Sequence, residues 1–120
     1  MILNGKTHKP GKIFKPGAIL NNKEFIDRDL SYVNLKGAKL MDTIFWGSNL
    51  EGAILEGAQM QRANLQGAIL KGANLTGANL ENAKFEGANL EGTVFDNANL
   101  SRASFQRANI NGAYFDNANI

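Results

Sequence analysis

The chain of 120 residues contains no cysteine, one histidine, two prolines and one tryptophan. Without cysteine there is no disulfide, no thiolate metal site and no cysteine nucleophile, a composition that fits a reducing compartment. The histidine, His8, lies in the first segment, and no serine has a partner base, so a hydrolytic dyad or triad cannot be assembled. Metal-ligand spacing is missing for the same reason, and neither a metal nor another cofactor is expected. No apolar run approaches the roughly 20 residues of a membrane span, and the first residues, MILNGKTHKPGKIFKPG, hold no stretch of signal-peptide length. The expectation is a cytoplasmic protein that is not an enzyme and has no membrane partner.

Charge is present but divided. Residues 1–17 carry Lys6, Lys9, Lys12 and Lys15 with no acid, whereas residues 18–120 carry nine Lys/Arg against eleven Asp/Glu. The formal total of +2 therefore hides a basic segment on a body of −2. The four lysines, His8 and Phe14 are suited to phosphate contact, yet the body has no basic stripe with interleaved aromatics, so nucleic acid is a disfavoured partner.

What the sequence has in abundance is a period of five. Every fifth residue from Leu20 to Ile120 is large and apolar, at all 21 positions. Two residues before each, alanine fills 15 of the 21 positions; two residues after each, Gly or Asn fills 14 of 20. That period matches neither the 3.6 of a helix nor the 2 of a strand. It fits a coil that turns once per pentad, with the large residue and the alanine pointing inward and Gly or Asn supplying the positive φ of a type II turn. Longer echoes give the number of sides. FDNANL at 95–100 returns as FDNANI at 115–120, and Phe25/Phe45, Phe85/Phe105 and Phe95/Phe115 are each separated by 20 residues. Four pentads per turn stack these pairs, which predicts an all-β, right-handed quadrilateral parallel β-helix of about five coils. The domain organisation follows: 1–17 as a basic N-terminal segment acting as a cap, and 18–120 as the β-helix.

The run ANLQGAILKGANLTGANLENAKFEGANLEG (63–92) resembles the pentapeptide-repeat proteins. The resemblance covers 18–120 and implies the same right-handed quadrilateral β-helix. Lys23, Arg28 and Val33 depart from its alanine position, all in the first coil, where an inward corner open to solvent is expected. The family includes many cyanobacterial members, and some members bind DNA gyrase as acidic duplex mimics. A body of only −2 with interleaved signs argues against that mechanism, which stays as the alternative to a non-enzymatic protein-interaction or scaffold module. The repeat itself is core and names no partner.

Against this register the tryptophan stands out. Phe45 is the inward residue of its pentad, so Ile44 and Trp46 flank it on the outside. Ile26 precedes Trp46 by one coil in the same outer file, and Met41 lies outward on the side before. Ile26, Met41, Ile44 and Trp46 form the candidate interaction patch; the expectation is that Ile13 and Phe14 fold back onto it, the other outcome being a partner protein. The last coil end, with Phe115 and Ile120, is the candidate for stacking on a second copy.

Overall fold

The computed structural model describes residues 13–120. Its backbone is a right-handed quadrilateral β-helix of the expected kind. Every parallel bridge joins residues 20 apart, from Ile19 with Lys39 to Asn99 with Asn119, so four pentads make one coil. The bridges are single rather than runs, because each side is five residues long and two of those five form the corner.

Each pentad of the middle coils has five N–H groups and uses four of them in the same way. In one repeat, Leu40 N–H donates to the Gln59 carbonyl at 2.7 Å and Asp42 N–H to the Gln61 carbonyl at 3.0 Å, tying the coil to the next. Thr43 N–H closes the corner on the Leu40 carbonyl at 3.3 Å, and Ile44 N–H reaches back to the Lys23 carbonyl at 3.0 Å. The fifth N–H, just after the large residue, has no ladder partner. Asparagine explains itself here: placed just before the large residue, its Oδ1 accepts this N–H two residues on, as in Asn49 with Glu51 at 3.0 Å and Asn89 with Glu91 at 3.1 Å. The Asn of the repeat is thus a local turn acceptor and not a surface ornament.

The interior is dry and layered. Large residues from Leu30 through Leu100 are buried, with alanine filling the corners between them. Burying each Leu or Phe contributes about 1.5–3 kcal/mol before conformational entropy is subtracted. The three phenylalanine pairs are in contact: Phe25 on Phe45 at 5.6 Å, Phe85 on Phe105 at 5.0 Å and Phe95 on Phe115 at 5.1 Å between ring centroids. Where a hydroxyl replaces alanine, it is satisfied inside: Thr43 donates to the Leu20 carbonyl, Ser48 to that of Phe25 and Thr93 to that of Leu70.

The first coil shows why alanine is dispensable there. Lys23 is exposed, as expected of an open inward corner, but Val33 is buried and joins the core, because an apolar side chain has nothing to gain from the solvent side. Arg28 lies half-buried with its guanidinium over the rings of Phe14 and Phe25, at 5.6 and 5.7 Å. Phe14 is itself buried, edge-on to Phe25 at 5.2 Å, and so closes the end of the tube. At the other end the last coil is more open. Phe105 and Phe115 are half-buried, and Ile110 and Ile120 are exposed.

Candidate interaction surface

The outer positions sort into files that run along the tube. The file after the Phe25–Phe45 side reads Ile26, Trp46, Gln66, Glu86 and Gln106, so its apolar part is confined to the first two coils. Trp46 is 54% exposed and Ile26 42%. Together with Asp27 and Gly47 they line an open pocket of about 200 Å³. The Asp27 N–H donates to the Trp46 carbonyl at 2.9 Å, which fixes the two residues in adjacent coils.

Of the four patch residues, Ile26 and Trp46 are brought together. Ile44 is half-buried at a bridge position between Glu24 and Asn64, and Met41 is half-buried on the neighbouring side; neither lines the pocket. Ile44 also occupies the position where the repeat would place Asn, so the Trp46 N–H has no acceptor among the described residues. The N-terminal segment was expected on this patch. Phe14 instead covers the coil end, where its buried ring meets the Phe25 ring and the Arg28 guanidinium, and Ile13 is exposed. Residues 1–12 lie outside the described part of the chain.

Sequence reasoning missed Asp27. It sits at the positive-φ corner, with φ 55, a position whose side chain projects outward, and its carboxylate oxygen occupies the space that any side chain at residue 47 would need. Gly47, with φ +69, suits this corner and leaves room for the Asp27 carboxylate over it. The signal available in the sequence was an acid at the corner position directly beside the two exposed apolar residues.

Elsewhere several charges are matched by a neighbouring coil. The edge with Asn22, Asp42, Arg62, Asn82 and Arg102 has no glycine at its corners and carries a bidentate pair, Arg62 Nε to Asp42 Oδ1 at 2.8 Å and Nη2 to Oδ2 at 2.9 Å. Of the stacked Glu51, Lys71 and Glu91, Lys71 pairs with Glu91 at 3.5 Å. The four acids of one coil are also engaged: Glu81 by Arg102, Glu86 by the Ser104 hydroxyl, Glu91 by Lys71 and Asp96 by the Asp116 N–H. Each acid of that girdle thus has at least one local partner, although Glu86 Oε1 is buried without a hydrogen bond. Among the described residues, no group of three or more His, Asp or Glu side chains is placed to hold a metal, and no helix is long and apolar enough to cross a membrane.

The repeat, the four-sided coil and its polar files place this chain in the pentapeptide repeat family, to which it belongs: the family's repeats match residues 17–47, 47–82 and 83–120. No curated protein is similar enough to match. Among solved structures, the chain is similar to the pentapeptide repeat protein Rfr23 from the cyanobacterium Cyanothece 51142, with 27% identity over 87% of this chain and 84% of that one, at a TM-score of 0.85. A pentapeptide repeat protein of the Arabidopsis thaliana thylakoid lumen is 31% identical over 82% of this chain, which spans 63% of its length, at a TM-score of 0.64. QnrB1, a plasmid-mediated fluoroquinolone resistance protein, shares the fold at 21% identity, covering 97% of this chain and 70% of its own, with a TM-score of 0.69. Proteins of this family are generally structural or interaction modules. The Arabidopsis relative is a protein of the thylakoid lumen, so the likeness leaves the compartment open.

Proposed function

We propose that this β-helix is a non-enzymatic protein-interaction module whose contact face is centred on Trp46 and Ile26. The observation that carries this reading is the exposure of the lone tryptophan, 54%, beside Ile26 in a file that is otherwise Gln and Glu. An indole is amphipathic and rigid, and exposed tryptophan beside aliphatic surface is a composition enriched at binding centres. The chain's own neighbours supply the test variant, since the same file holds Gln66 one coil later. Trp46→Gln keeps the fold and removes the anchor. Affinity capture from extracts of the native host, compared between wild type and Trp46→Gln, tests the reading; a protein retained equally by both would overturn it.

The last coil offers a different occupant. Phe115 is half-buried and Ile120 is 79% exposed, and stacking on a second copy would cover both. Light scattering that finds a monomer at high concentration removes that partner. A topoisomerase-directed DNA mimic is the weaker reading, because the body carries only −2 and several of its acids, Glu81 and Glu91 among them, are engaged by local partners. Protection of gyrase supercoiling at micromolar protein would reverse that order.

A further inference from the structure

The pocket beside Trp46 has an acidic wall, Asp27, that no described residue neutralises. Asp27 makes no ion pair or side-chain hydrogen bond to another described residue. The adjacent Arg28 is turned inward, over the rings of Phe14 and Phe25, and does not serve it. On other files, several carboxylates are met from a neighbouring coil, as Asp42 is by Arg62 and Glu91 by Lys71, whereas Asp27 is not. Among the described residues, Asp27 is thus a carboxylate without an ion-pair partner, set against an exposed indole and an exposed isoleucine and seated over Gly47.

We propose that this pocket receives an arginine or lysine side chain from a partner protein, with the cation at the Asp27 carboxylate and the aliphatic stem against Ile26 and Trp46. The occupant deepens the interaction-module reading and rests on it. The two halves of such a side chain match the two halves of the pocket. A cation is attracted to an indole face, and a long basic side chain lays its methylene stem on apolar surface while its head stays polar. The volume, about 200 Å³, is below the roughly 300–1,000 Å³ of small-molecule sites and suits a single side chain. A helix or a flat apolar surface would leave Asp27 buried and unpaired, which is unfavourable.

Because Trp46 is the one tryptophan, its emission reports the pocket directly. The full chain is titrated with N-acetyl-isoleucyl-arginine amide and with the same dipeptide carrying citrulline, a neutral isostere. The expected result is a saturable change in Trp46 emission that is at least threefold weaker with citrulline, weaker in raised salt, and at least threefold weaker in Asp27→Asn. No response, an equal response to both probes, or an unchanged titration in Asp27→Asn overturns the assignment. Should Asp27→Asn fail to fold, wild-type discrimination between the two probes decides alone. A combined Lys6→Gln, Lys9→Gln, Lys12→Gln variant that binds the arginine probe threefold more tightly would put the chain's own first segment in the pocket and overturn the partner assignment. The interaction reading itself is judged by the Trp46→Gln capture: a retained partner with no arginine response sinks the cation pocket alone.

Discussion

The Thr93 hydroxyl donates to the Leu70 carbonyl at 2.7 Å, across one coil and from a position the repeat gives mostly to alanine. The same carbonyl also accepts the Ala73 N–H at 2.8 Å. Thr93→Val keeps the shape and removes the donor, while the carbonyl retains its corner bond. The expected cost is therefore that of one hydrogen bond, about 0.5–1.5 kcal/mol, and not that of an orphaned polar group. Urea unfolding of the two proteins, with equal slopes, measures it.

Position along the tube should decide what a lost leucine or isoleucine costs. Leu65 is fully buried between coils, whereas Ile110 in the last coil is 49% exposed. Leu65→Ala should destabilise by about 2–5 kcal/mol, since the rigid stack collapses little around the cavity. Ile110→Ala should cost a fraction of that, under about 1.5 kcal/mol. Equal losses by denaturant titration would show that the last coil is covered in solution.

Much of this was readable from the count by fives. The register that made Phe45 inward also made Ile26 and Trp46 neighbours, and 20-residue spacing paired the phenylalanines, because a repeated backbone converts sequence distance directly into spatial distance. What did not repeat was not readable. Arg28 and Phe14 meet at the tube's end, where the period has no previous coil to define a partner. Asp27 was passed over for a related reason: the corner position holds Gly or Asn in the pattern, so a side chain there adds to the surface without disturbing the repeat.

The placement of Phe14 gives a second test of that end. Phe14 is buried on Phe25 and beneath Arg28, away from the pocket lining. Phe14→Ala should cost about 3–5 kcal/mol and leave the position of Trp46 emission unchanged in the folded protein. A red shift of that emission would mean that the ring shields the indole after all.

The Asp42–Arg62 pair makes stability depend on pH in a defined direction. The hydrogen bonds from Arg62, aided by its charge and opposed by a little burial, hold the Asp42 carboxyl below its ordinary value of 3.8. In the unfolded chain the group takes up its proton first as pH falls, so the pair's contribution is complete above 3.8 and is lost on descending through the lowered folded value. Asp42→Asn should flatten the acid limb of the stability curve, lose the pair's small contribution at neutrality, and differ little from wild type below the lowered folded value. Both side chains are exposed, so raised salt should shrink the difference.

Ile44 is the position where interaction and stability are in conflict. Eight pentads use Asn just before the large residue to accept the N–H two residues on, among them Asn64 with Gln66 at 3.0 Å in the next coil, but Ile44 leaves the Trp46 N–H without an acceptor among the described residues. Ile44→Asn restores the acceptor at a half-buried bridge site and places it next to Asn64 in the same file. The gain of one local hydrogen bond outweighs the loss of a half-exposed apolar side chain by a small margin, and the variant should be more stable by roughly 0.5 kcal/mol. Thermal and urea midpoints should both rise, while capture through Trp46 should weaken because the apolar surround is reduced. A variant that is less stable than wild type would show that Ile44 contributes more to packing than the repeat's Asn contributes to the turn.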